Sequence, residues 1–234
     1  MNINSGKPLN NLVLIKPFIN NDKHKFASGG YIYIDTSYEP EMHAEVVGEV
    51  VRIPETVFLR KGRLYLDEDK RVPVEIQVGD IAYYNYLAIR KALTEKFDGK
   101  AVIENKELYV LISYENIFMV IRDGVPHPIN DYLLIEPTYD EMLAEKKKCL
   151  DAGLDFPVTV EEEMKKNTQY GIVRYAGTNL SQNNGFSDED LKVGSKVIIA
   201  KFADIPLEYE AHQTFEVGKT LFRVKRRDVL MVLE

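Results

Sequence analysis

The chain has 234 residues, 45% of them apolar and 29% charged, with 37 acidic against 30 basic side chains and a net charge of −7. That balance describes one large globular domain or two of ordinary size with a buried core, and excludes a disordered or fibrous chain. It also argues against a nucleic-acid partner, which needs a basic patch to neutralise phosphates, and no apolar run approaches the roughly 18 residues of a membrane helix.

Taken in chain order, "MNINSGKPLNN" lacks the charged and apolar segments of a signal peptide, and the "LVLIKP" that follows reads as a first strand. Next comes the polar stretch "INNDKHKFASGG" and then "YIYI", Tyr31 to Ile34. Two readings stand here. Strict alternation predicts a half-buried strand entered through a Gly29–Gly30 turn, whereas the polar stretch before it predicts an arm unable to pack on its own core and carrying an apolar tip. "AEVVGEVVRI" is a further strand. "ETVFLRKGRLYLDED" predicts a projecting hairpin over about 55–68, with Val57 and Leu59 facing Leu64 and Leu66 across Lys61–Gly62. "DIAYYNYLAI", "ELYVLI" and "NIFMVI" supply three more strands. In "RDGVPHP", Arg122 to Pro128, one Gly and two Pro break the strand pattern, which places a boundary between a domain at 1–123 and another at 124–234.

The second half repeats the first. "HPINDYLLIEP" answers "KPLNNLVLIKP", "GIVRYA" answers "GEVVRI", "VGSKVII" answers "VGDIAYY", and "RDVLMVL" answers "ENIFMVI", all in the same order. The halves part company at Thr138 to Asn167, which has no Gly-Gly and no apolar triplet and reads as a helical insertion over about 138–167. Thr138 with Glu141 forms a capping-box pattern, Tyr139, Met142, Leu143, Cys149 and Leu150 fall near one face, and Gly153 is placed to terminate the helix. Thr159 with Glu162 opens a second, shorter candidate. The basic cluster "RVKRR", Arg223 to Arg227, reads as a solvated or intersubunit face.

Little in the chain points to chemistry. Cys149 stands alone, so neither a disulfide nor a cysteine-based metal site forms within one chain, and a reducing, cytosolic setting fits. His24, His43, His127 and His212 are scattered without metal-ligand spacing. The phosphate-binding loop, the dinucleotide fingerprint and the Gly-x-Ser-x-Gly elbow have no match, and the acidic runs at Glu161–Glu163 and Asp188–Asp190 read as solvated faces. The expectation is a protein that is not an enzyme and takes no metal or cofactor.

In their joint order, "PLNNLVLIKP", "SGGYIYI", "AEVVGEV", "VQVGDIAYY" and "NKELYVLISYENIFMVI" resemble the GroES-type co-chaperonins, the chaperonin-10 family. "PINDYLLIEP", "YGIVRYAG", "LKVGSKVII" and "VGKTLFRVKRRDVLMVL" resemble it a second time, which suggests a tandem, double-domain form. The resemblance implies an all-β fold of two tandem GroES-like, partly open β-barrels with a small helical insertion in the second. It implies a homo-oligomeric ring that caps an ATP-driven chaperonin and assists protein folding. Each subunit would dock on the chaperonin apical domains through a mobile loop, here about 18–43. The docking tip would comprise Gly29, Gly30, Tyr31, Ile32 and Tyr33, with Ile34 adjoining. The family's usual tip has three aliphatic residues after Gly-Gly; two Tyr in their place imply a pocket lined for larger rings, or weakened or lost binding. Without an Arg- and Ser-rich transit peptide, the expected setting is the cytosol of a bacterium or of a phage-infected cell. An alternative of a different class is a structural assembly protein, such as a phage virion component, that reuses tandem barrels without chaperonin binding; fold alone does not separate the two.

Overall fold

The structure, a computed structural model, describes residues 6–9, 11–19, 24–25, 31–32, 44–59, 70–94, 100–138, 149, 151–153, 169–178, 190–200, 205–206 and 221–233. The chain divides into two compact units, Met1–Pro126 and His127–Glu234. In the first, the elements run β1 (Leu12–Ile19), β2 (His24–Lys25), β3 (Tyr31–Ile32), β4 (Ala44–Arg52), β5 (Thr56–Leu59), β6 (Lys70–Pro73), β7 (Ile81–Tyr84), α1 (Tyr86–Thr94), β8 (Ala101–Glu104), β9 (Glu107–Ser113), β10 (Ile117–Arg122) and β11 (Val125–Pro128). Seven of these strands form one sheet in the order β11-β10-β7-β4-β1-β9-β8, while β2–β3 and β5–β6 are separate two-stranded ladders.

In the second unit follow β12 (Tyr132–Thr138), β13 (Tyr170–Ala176), β14 (Lys196–Ile199), β15 (Ile205–Pro206), β16 (Phe222–Lys225) and β17 (Val229–Leu233). They form a sheet in the order β15-β16-β12-β13-β14-β17. Read from β17, the run β17-β14-β13-β12-β16 reproduces β10-β7-β4-β1-β9 of the first sheet. The expected all-β architecture is present, as two open sheets; among the described residues neither closes on itself.

The likeness extends to the backbone. Gly79 and Gly194 both sit in the left-handed region, at φ 92° and 94°, and their N–H groups donate to Val50 and Val173 carbonyls, each at 2.8 Å. A side chain resists that conformation, which is why each strand is entered through a Val-Gly pair. A single 3₁₀ turn precedes the last strand of each sheet, Tyr114–Asn116 and Arg226–Asp228. The first N–H of each turn donates to Asn11 O at 2.7 Å and to Asp131 O at 2.9 Å respectively.

Burial comes in continuous runs. Val13, Leu14 and Ile15 of β1 are all buried, as are Ile117 to Val120 of β10, so these strands have both faces covered. In the second unit, Leu133 and Ile135 of β12 pack with Val173, Val197, Phe222 and Val224 from neighbouring strands.

Four expectations are corrected. Only the first part of "DIAYYNYLAI" is strand; from Tyr86 it is helix, because Asn85 caps it by accepting the Leu87 N–H at 2.8 Å, and Ile89 and Ala92 bury one face. The hairpin begun by β5 returns through β6, with Val57 opposite Val72, and not through Leu64 and Leu66. Its base is fastened to the body by Asn11, whose side chain bonds both Phe58 N and Phe58 O, at 2.7 and 2.6 Å. "RDGVPHP" contains a strand, β11, turned back by Asp123 and Gly124 at φ 51° and 77°, the geometry of a type I′ hairpin. Thr138 is the last residue of β12, and residues 139–148, where the expected helix begins, lie outside the described ones. Finally, "RVKRR" is no solvated face: Arg223 and Arg226 are buried, and Arg226 donates to Gly177 O at 2.6 Å. Lys225 and Arg223 lie over the Tyr132 ring, at 4.9 and 5.8 Å.

Candidate functional site

The segment named from sequence as the binding loop hangs between β1 and β4. Ile19 pairs with Ala44 across its root, so the arm comprises residues 20–43, and Phe18, expected at its start, belongs to β1. The register shifts between Pro17 and Ile19, a bulge of the kind that bends a strand out of its sheet, and leaves Phe18 42% exposed beside the arm. Close approach of the strands at this root requires glycine. A Cβ on Gly48 would stand 2.5 Å from Lys16 O and 2.7 Å from Pro17 Cα.

Within the arm, β2 and β3 pair antiparallel, His24 with Ile32 and Lys25 with Tyr31. This ladder is no part of the seven-stranded sheet. Of the six residues expected at the tip, the structure thus brings Tyr31 and Ile32 into a strand whose partner lies in the same arm. Gly29, Gly30, Tyr33 and Ile34 lie outside the described residues.

The root carries the charge. Lys16 of β1 donates to Glu107 of β9, and the Tyr109 hydroxyl donates to the other Glu107 oxygen at 2.8 Å. That bond to a carboxylate pushes the Tyr109 phenol up to about 12.

The second unit carries an insertion at the corresponding place, between β12 and β13, closed by the pairing of Thr138 with Tyr170. Cys149 and Asp151 are helical, and Gly153 follows at φ 81°. Left-handed glycine just past a helix is the usual stop signal, as the sequence indicated. The other residues of the expected helices lie outside the described ones. Here too a glycine faces the root: a Cβ on Gly171 would collide with Ile135 Cγ2.

Elsewhere the inventory is short. Among the described residues, no group of three His, Cys, Asp or Glu side chains is placed to hold a metal, and no helix is long and apolar enough to cross a membrane. Sequence reading passed over a set of exposed apolar residues outside the arm: Leu9, Leu230 and Met231 are 66%, 60% and 53% exposed. A comparison of the two repeats position by position could have marked them, since their counterparts are Ile129, Phe118 and Met119, all buried.

No family model matches the chain. It is 30% identical over 118 residues to the Co-chaperonin GroES of Rickettsia typhi, an alignment that takes in 50% of this chain and 99% of that protein. It is 30% identical over 115 residues to the Co-chaperonin GroES of Coprothermobacter proteolyticus, covering 49% of this chain and 93% of that protein. Against the Co-chaperonin GroES of Rickettsia prowazekii, identity is 29% over 118 residues, with 50% and 99% covered.

Proposed function

The chain belongs to the GroES co-chaperonin family, and from that premise we propose that it is a cytosolic co-chaperonin, an oligomeric lid on an ATP-driven chaperonin, doing no chemistry of its own. Each of its units is a GroES-like domain, and the arm at 20–43 of the first docks on the chaperonin apical domains. Gly29, Gly30, Tyr31, Ile32, Tyr33 and Ile34 form its tip. The observation that carries this reading is the way the arm is attached: rooted on the sheet at Ile19 and Ala44, with its one described ladder made inside itself.

Energetics suit a lid that comes off in every cycle. Ordering a backbone residue costs about 1–2 kcal/mol, and burying one large apolar side chain contributes about 1.5–3 kcal/mol, so a single arm binds weakly. Several arms on one oligomer bind together, because the first to dock raises the effective concentration of the others. The insertion between β12 and β13 lacks Gly-Gly and an apolar triplet, and it is not the docking element.

A second reading, a structural assembly protein, draws on the pairing of Tyr31–Ile32 with His24–Lys25, which is already formed in the chain alone. Proteolysis of 20–43 with and without a bacterial chaperonin and ATP separates the two. Cleavage that the chaperonin suppresses supports the lid; resistance without it supports the assembly protein. Ile32→Asp is expected to abolish capping with the fold retained, and deletion of 140–166 to leave capping intact. Normal capping by Ile32→Asp, or its loss on that deletion, sinks the assignment of the tip.

A further inference from the structure

The first sheet ends in β8, which pairs with β9 on one side and, among the described residues, has an open edge on the other. Val102 and Ile103, on opposite faces of that strand, are 40% and 54% exposed. The second sheet ends in β15, and the two edges differ at one telling place. Ile15 and Ile135, counterparts in the repeat, pair with Val110 and Phe222, and these pair in turn with Ala101 and Pro206. Proline there has no N–H to offer a further strand, which protects a sheet edge. Alanine at the same place keeps its N–H.

The ladder fixes what the β8 edge presents. The chain turns from β8 to β9 through Asn105 and Lys106 at φ 52° and 66°, a two-residue loop of type I′ geometry closed by Glu104 and Glu107. At the other end the Leu111 N–H donates to Lys100 O at 2.7 Å. Bonded and unbonded pairs alternate along an antiparallel ladder, so Lys100, Val102 and Glu104 turn their backbone groups toward β9. Those of Ala101 and Ile103 turn outward.

Such an edge matches a second copy of itself. We propose that β8 pairs antiparallel with β8 of a second copy about a two-fold axis at Val102. In this register Ala101 faces Ile103 of the second copy and exchanges both backbone bonds with it, so the outward N–H and carbonyl groups of both strands are used. Val102 faces Val102, and Lys100 faces Glu104 of the second copy on either side, so opposite charges flank an apolar contact. Sliding the strands by two residues sets Val102 against Lys100 or against Glu104 and loses that match. The contact is isologous, joining copies in pairs and going no further. It goes beyond the lid reading and does not rest on it.

Ala101→Pro places on β8 the residue type that β15 carries, removing one outward N–H while leaving the bonds to β9. By sedimentation at tens of micromolar without chaperonin, it is expected to halve the wild-type mass, from two chains of 26.9 kDa to one or from paired rings to a single ring, with unchanged far-UV circular dichroism. Glu104→Lys is expected to do the same, and adding Lys100→Glu to it to restore the wild-type mass. In a Cys149→Ser background, Val102→Cys is expected to oxidise to a crosslinked dimer, because facing unbonded residues lie about 4.5 Å apart at Cα, within disulfide reach. Ile103→Cys, which faces Ala101 and not itself, is expected to stay reduced. A mass untouched by both Ala101→Pro and Glu104→Lys, a double charge variant no heavier than Glu104→Lys, or crosslinking at Val102 no better than at Ile103 overturns the pairing.

Discussion

Tyr114 and Arg226 stand at the same point of the two sheets, and nothing about their side chains is alike. Each opens a 3₁₀ turn and gives its N–H to the carbonyl at the foot of the first strand, Asn11 or Asp131. The Tyr114 hydroxyl donates to Glu75 Oε2 at 2.9 Å and accepts from Glu75 N at 3.2 Å, while Arg226 donates to Gly177 O. The same holds one turn away. Asp80 is buried, accepting two bonds from Arg122 at 2.9 and 2.6 Å and one from Gln77 N at 2.8 Å; its counterpart Ser195 donates to Asp190 O at 3.0 Å. The frame is therefore a backbone frame. Side chains as different as a tyrosine and an arginine enter it, each bonding to a group of its own unit.

The sharpest test of that view removes a partner. Asp80→Ala leaves the Arg122 guanidinium and the Gln77 N–H without their carboxylate, and breaking a buried ion pair from one side costs about 3 kcal/mol. Ser195→Ala gives up one neutral bond, worth about 1 kcal/mol. Urea unfolding, with hydrogen exchange in β7 and β14 assigning each loss to its unit, is expected to show that ratio. Equal losses would mean that the side chains at this turn do not distinguish the sheets.

A smaller effect tests what the sheets share. Gly48→Ala and Gly171→Ala overpack the crossing of β4 on β1 and of β13 on β12, at about 1–3 kcal/mol each. Gly48→Ala is expected to be the costlier, since its Cβ meets two backbone atoms, Lys16 O and Pro17 Cα, at 2.5 and 2.7 Å, whereas that of Gly171→Ala meets one, Glu136 O at 2.9 Å, beside the Ile135 methyl. Thermal unfolding reads the order of the two.

Sequence carried the shared part well, because a repeated strand pattern reports burial twice over: "LVLIKP" with "YLLIEP" and "VGD" with "VGS" marked strands and turns that the structure contains. It failed where a short apolar run decides nothing by itself. "YNYLAI" alternates like a strand, and the helix is declared by Asn85 in front of it. Asp123–Gly124 was likewise a hairpin signal, set aside because two prolines followed; at an edge those prolines are harmless. For the candidate site, the sequence marked an insertion between two strands, and the structure closes residues 20–43 with the pairing of Ile19 and Ala44. The partner of Tyr31–Ile32 was not legible, because composition says that a strand wants a neighbour but not that the neighbour is His24–Lys25.

The smallest effect is one of pH, and it again separates position 114 from position 226. Burial, and then the Glu75 charge, hold the Tyr114 phenol well above the usual tyrosine value. Below pH about 10 the phenol is neutral in the folded and unfolded chain alike, and its contribution to stability is fully present. As pH rises past that value the unfolded chain ionises first and is favoured, so stability falls with rising pH. Tyr109, pushed up to about 12, acts in the same direction, so the informative contrast is wild type against Tyr114→Phe. The variant should be less stable at neutral pH by about 1 kcal/mol, for the lost bonds to Glu75, and should decline less steeply from pH 9 to 11. The second unit has no tyrosine at this place, so hydrogen exchange in β17 should show no such relief, and parallel declines of wild type and variant in β10 would remove Tyr114 from the account.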